Sequence, residues 1–195
     1  MYHTDLWRSE HIRPVDRIVK DIREGQLPAV TWVTPRFELS DHPGYSLCHG
    51  ENWTTEVVNA IMRSPMWRDT AIFITWDEWG GFYDPVLPPA VDDLGLGVRV
   101  PLLTISPYTE RGVIDTEIGE FSTPLRFISD NWGLPYLTPR IENTHSFEHV
   151  FNFKKKPRDP VFGKTTAPTY GGAFAFPDGY EGWEPGTDPN EDHFI

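Results

Sequence analysis

A largely apolar run, Ala71-Ile72-Phe73-Ile74-Thr75, leads directly into Trp76-Asp77-Glu78-Trp79-Gly80-Gly81-Phe82-Tyr83-Asp84. Short runs of β-branched and aromatic residues bounded by turn residues make buried strands. Two adjacent acids stand where this strand ends, and Gly80-Gly81 let the backbone turn sharply behind them. In open α/β sheets, ligands collect beyond the carboxyl ends of the strands. An Asp-Glu pair in that place is a ligand set for a hard or borderline divalent cation. Taken alone, however, acids at a strand end are more often solvated loop residues.

The flanking sequence supplies the context. Residues 14–25 predict a helix, with Pro14 in its first turn, Gly25 just past its end, and Val15, Ile18, Val19 and Ile22 on one face. A strand is expected from Ala29 to Val33. A second helix is expected from about Thr54 to Arg63, with Val57, Val58 and Ile61 inward and Pro65 beyond its end. A strand over 102–105 and a helix from Ser122 to Asn131 follow. This alternation predicts an α/β domain with a mainly parallel sheet and helices on both faces, a three-layer arrangement. Past Lys154-Lys155-Lys156 the chain is dense in Pro, Gly and acids, as in Asp188-Pro189-Asn190-Glu191-Asp192. The expected division is therefore a domain over 1–156 and an irregular tail over 157–195.

The motif Asp77-Glu78-Trp79-Gly80-Gly81-Phe82-Tyr83-Asp84, with Pro88-Pro89 after it, has ordered companions. They include Gly25-Gln26-Leu27-Pro28, Asp41-His42-Pro43, Trp67-Arg68-Asp69-Thr70, Val100-Pro101-Leu102-Leu103, Leu125-Arg126-Phe127-Ile128 and Phe151-Asn152-Phe153. Over about residues 15–157 the series resembles the carboxyl-terminal portion of the bacterial phosphoesterase family that includes non-specific phospholipases C and an acid phosphatase. The resemblance implies an alkaline-phosphatase-like α/β fold and metal-dependent hydrolysis of phosphate esters, whether small molecules or phospholipids. It implies that Asp77 and Glu78 help hold a divalent metal ion and that His42 reaches the phosphoryl group. In the family, further metal ligands and a hydroxyl nucleophile come from an amino-terminal half that this chain does not resemble. Glu51-Asn52-Trp53-Thr54 looks superficially like that half's metal-ligand motif, but its place at a helix opening reads as capping. Two family histidines are replaced here, by Pro85 after Asp84 and by Asp115.

Other features limit the alternatives. A net charge of -12 argues against nucleic acid as a partner, because phosphate backbones are bound by Lys and Arg. Cys48 is the only cysteine, so an internal disulfide and a cysteine-rich zinc site are excluded. No stretch has the length of a transmembrane helix, and the first residues lack the pattern of an export leader. Because family members are often exported, the compartment stays open. Two rival functions remain. One is a non-catalytic relative that binds a metal or a phosphorylated ligand, which Pro85 and Asp115 favour. The other is a zinc protease built on His145, Glu148 and His149, which read as H-x-x-E-H.

Overall fold

The computed structural model describes residues 10–165. The first residues and the acidic Pro-rich stretch near Asp188 lie outside the described residues.

The architecture mixes helices with a small sheet. After a 3-10 turn at Val15–Arg17, helix α1 runs Ile18–Arg23, and α2 spans Leu47–Arg63. Trp53, Val57, Ala60 and Ile61 recur at helical spacing along α2 and meet Ile18, Val19 and Ile22 of α1. Ile22, at 1% exposure, is the most enclosed member of this core. Helix α2 ends where the Ser64 hydroxyl donates to the Ile61 carbonyl at 2.8 Å and Pro65 follows. It begins well before the expected Thr54. Glu51-Asn52-Trp53-Thr54 therefore lies inside the helix, and the capping expectation is corrected: Ser46 is the residue that precedes the first turn.

Strands β1 (Ile72–Thr75) and β2 (Leu102–Ile105) pair with Ile72 opposite Ile105 and Thr75 opposite Leu102. They run antiparallel. The mainly parallel three-layer sheet expected from the sequence is not what the described residues form. A parallel pair needs a crossover that returns the chain to its starting end. The 76–101 connection contains no helix and delivers the chain back alongside the end of β1. The expected strand at Ala29–Val33 is also absent among the described residues. Trp32 there is 69% exposed, and no neighbouring strand offers that backbone a ladder partner.

Helix α3 (Thr123–Trp132) carries Pro124 in its first turn and ends at Gly133, whose left-handed φ of 62° lets Leu134 N–H bond the Ser129 carbonyl at 2.9 Å. Its Phe127 packs against Phe73 of β1 and Phe151, with ring centroids 5.4 and 5.1 Å away. Helix α4 (Pro139–Asn143) follows, capped by the Thr138 hydroxyl. Residues 157–163 form no helix or strand, yet they are tied down. Asn59 of α2 exchanges two 2.9 Å hydrogen bonds with the backbone of Gly163. The Trp67 indole N–H bonds the Arg158 carbonyl at 3.2 Å, and the Arg158 guanidinium donates to Ser106 O. No helix among the described residues is long and apolar enough to cross a membrane.

The enclosure of Ile22 yields a direct test. Ile22→Ala leaves a cavity between α1 and α2 and is expected to cost about 2–5 kcal/mol. Urea unfolding of the two proteins side by side measures the difference.

Candidate functional site

The strand expected at 71–75 forms as β1, but it is not buried: Ile72, Phe73 and Ile74 are half-buried and Thr75 is exposed, because only β2 pairs with it among the described residues. The Thr75 hydroxyl donates to the Pro101 carbonyl at 2.9 Å and fastens the end of β1 to the start of β2. The chain then turns through Gly80 and Gly81, whose φ values of 57° and 84° are the ones a side chain resists. Gly80 N–H donates to Glu78 Oε1 at 2.8 Å, which folds that carboxylate back over the turn. Asp77 and Glu78 are both exposed.

His42 arrives from a different part of the chain. A 3-10 turn at Phe37–Leu39 precedes it, and Asp41 adopts a left-handed φ of 64° that redirects the backbone. That conformation costs an L-residue about 1 kcal/mol, although Asp tolerates it better than most. The His42 ring packs at a tilt of 38° against Phe37, with centroids 4.2 Å apart. Its Nδ1 lies 2.9 Å from the Pro43 carbonyl. A carbonyl only accepts, so Nδ1 carries the proton and Nε2 of the neutral ring keeps its lone pair.

Two contacts join these loops. The Trp76 indole N–H donates to Asp41 Oδ2 at 3.3 Å. A Cβ placed on Gly80 would lie 3.9 Å from Pro43 Cδ, so the two turns lie close together. The structure thus brings the Asp41-His42-Pro43 turn beside the end of β1. It does not assemble a closed metal site: among the described residues, no group of three or more His, Cys, Asp or Glu could hold a metal ion. An open groove of about 430 Å³ along α2, lined by Leu39, His49, Asn52, Trp53 and Glu56, takes in none of the three candidates.

The weaker sequence candidates have other partners. Asp84 accepts from Val86 N–H at 2.9 Å and from two nitrogens of Arg99 at 3.1 and 2.9 Å. The Val86 N–H, then Arg99, hold its carboxyl below the usual value. Asp115 accepts from His149 Nε2 at 3.0 Å. His145 and His149 do not share a helix face. Phe147 between them has a left-handed φ of 54°, and only the 3-10 turn Glu148–Val150 follows. The zinc-protease arrangement needs both histidines on one helical turn, so that expectation is corrected.

Sequence reasoning missed Asp41, Trp76 and Gly50. Gly50 lies inside α2, where alanine would be about 1 kcal/mol more favourable. A Cβ there would stand 1.9 Å from Asp41 Oδ1 and 3.0 Å from the Leu39 carbonyl oxygen. The expected helix began at about Thr54, so nothing in the sequence marked Gly50 as a glycine inside a helix.

The sequence model of the Phosphoesterase family matches residues 2–135. The chain belongs to that family. It is 32% identical to the hemolytic phospholipase C of Pseudomonas aeruginosa, over 67% of this chain and 21% of that protein. It is 31% identical to phospholipase C B of Mycobacterium tuberculosis, over 74% and 33% of the two lengths. It is 36% identical to non-specific phospholipase C6 of Arabidopsis thaliana, over 50% and 23%. The chain spans between a fifth and a third of the length of these curated relatives.

Asp41 also makes a pH prediction. Burial pushes its carboxyl above the usual value, the Trp76 N–H opposes this, and nearby Glu51 adds to the rise. The folded protein therefore holds this proton to higher pH than the unfolded chain does. The stability that goes with protonated Asp41 is fully present below the ordinary value of 3.8 and is lost as pH climbs through the folded value. Asp41→Asn stays neutral throughout. Thermal unfolding is expected to show it melting above the parent at pH 7, with the gap closing near pH 3.5.

Proposed function

We propose that this chain carries the metal-ligand and phosphoryl-contact face of a phosphate-ester hydrolase of the phospholipase C or phosphatase type. The observation that carries this reading is the adjacency of the Asp41-His42-Pro43 turn and the Asp77-Glu78 strand end, tied by the Trp76–Asp41 bond, within a chain of the Phosphoesterase family. Relatives named as phospholipases C support the same class.

Asp77 and Glu78 offer two adjacent, accessible carboxylates, a donor pair that suits a hard divalent cation but leaves its coordination shell unfilled. They would hold that cation together with ligands from the family's amino-terminal half. When bound, it supplies positive charge opposite the phosphoryl oxygens. His42 would work through Nε2. With Nδ1–H held by the Pro43 carbonyl, Nε2 of the exposed ring would be the atom that takes up a proton and delivers it to the leaving oxygen. The hydroxyl nucleophile would come from the amino-terminal half, encoded upstream or on a partner chain. In that setting the division into a domain over 1–156 and a segment over 157–195 is part of this proposal, with the domain joining a larger three-layer fold whose sheet is mainly parallel. The substrate is a phosphate-ester small molecule or a phospholipid, and the net charge of -12 argues against nucleic acid.

A second reading has its own support. Pro85 can neither ligate nor transfer a proton, and Asp115 is engaged by His149. Both favour a relative that binds a metal or phosphorylated ligand without turnover.

Metal binding by the purified chain, and hydrolysis of aryl phosphate mono- and diesters when it is combined with the amino-terminal half of a family relative, separate the two across a panel of divalent metals. Metal-dependent turnover that falls about 100-fold or more in Asp77→Ala supports catalysis. Metal binding that is lost in Asp77→Ala, without turnover, supports the binding relative. A folded combination of the two halves that neither binds a metal nor turns over ester contradicts both.

A further inference from the structure

We propose that Asp41 is a positioning residue, the pin that holds the His42 turn against the end of β1. This rests on the reading of His42 as a phosphoryl contact, but its geometry stands independently.

Three observations converge on one side chain. Asp41 sits in a left-handed conformation with φ 64°, immediately before His42. Its Oδ2 accepts the Trp76 indole N–H, and Trp76 is the residue directly before Asp77. Its Oδ1 is buried and finds no hydrogen-bond partner among the described residues. That second oxygen is pressed onto α2 at Gly50, where a Cβ would approach it to 1.9 Å. The carboxyl is therefore held on two sides, by a donor from the strand end and by bare helix backbone. A solvated loop acid would satisfy both oxygens with water and would not need a helix stripped of its side chain to admit it.

The consequence follows from the chain order. His42 is one peptide beyond the pinned residue, and Asp77 is one peptide beyond the pinning indole. The Trp76–Asp41 bond thus sets the spacing between the imidazole and the acid pair. Neither His42 nor the acids hold that spacing themselves, since His42 bonds its own neighbour and Glu78 its own turn.

Asparagine suits the same seat. It tolerates the left-handed backbone, its amide oxygen accepts the indole N–H, and its NH₂ faces the side where the Leu39 carbonyl also lies. Alanine keeps the space but loses both contacts. A methyl group at Gly50 evicts the carboxyl while favouring the helix itself.

The test is a set of four variants of the full chain, Asp41→Ala, Asp41→Asn, Trp76→Phe and Gly50→Ala, each checked for the parent's circular dichroism. The primary readout is the position of the His42 ring resonances by NMR at one pH well above the ordinary imidazole range, where loss of the Asp41 charge does not change the protonation of the ring. Asp41→Ala, Trp76→Phe and Gly50→Ala are expected to move the His42 resonances in the same direction, and Asp41→Asn is expected to retain the parent's. Where ester turnover is measurable, the three disruptive variants lower kcat by about 10- to 100-fold with KM little changed. Parent-like His42 resonances in Asp41→Ala, or an Asp41→Asn variant as disturbed as Asp41→Ala, overturn the proposal. Should Gly50→Ala fail to fold, Trp76→Phe carries the same decision without touching α2. A chain that never turns over ester even when an amino-terminal half is supplied, but shows the coupled His42 response, would sink the catalytic reading and leave the pin standing.

Discussion

The Asp41 carboxyl lies flat against α2 because Gly50 leaves that turn of the helix without a side chain, and it reaches across to bond Trp76. Both candidate loops depend on that contact. One grows from the turn before α2 and the other from the end of β1, and they are far apart in the chain. Irregular loops have little of their own to hold them in place, since each ordered residue gives up conformational entropy that its contacts must offset. The carboxyl contact supplies a common anchor, and the closeness of Gly80 to Pro43 is the second place where the loops meet.

Behind this anchor the fold has two apolar centres joined by a strap. One lies between α1 and α2 around Ile22. The other is the aromatic group of Phe73, Phe127 and Phe151 under the sheet. Residues 157–163 run between them, bonded to Asn59 and Trp67 on one side and to the loop after β2 on the other. Because that strap is irregular, its hold comes from side chains of other elements meeting its backbone. Only two strands pair among the described residues, so each keeps an outer edge whose N–H and C=O groups lack a strand partner. Such edges are where further strands add.

Much of this was legible beforehand. The apolar face of residues 15–22 gave the inward side of α1, and the run at 71–75 gave β1 with the acid pair at its end. Those features are local, governed by periodicity and turn chemistry. The expected strand at Ala29–Val33 shows the limit. Its composition is that of a strand, yet a strand exists only with a neighbour to bond, and none of the described residues provides one. The direction of β1 against β2 was equally hidden, because it depends on where the 76–101 connection returns. The motifs single out Asp77, Glu78 and His42 as candidates. The role of Asp41 could not, since its two contacts come from residues nine and thirty-five positions away.

By itself, the sequence determined the family, the residue types available for phosphate-ester chemistry and the helices whose apolar faces repeat at 3.6. It also placed Pro85 after Asp84, a side chain that can neither ligate a metal nor carry a proton. Only the tertiary structure decided that the His42 turn lies beside the strand end, that Asp84 is taken by Arg99 and Val86, and that His145 and His149 fall on a kinked turn instead of a helix. Sequence patterns report what each segment prefers within a few residues. The site is made by contacts between segments, and these are set by packing, such as a carboxyl seated where a helix carries no side chain.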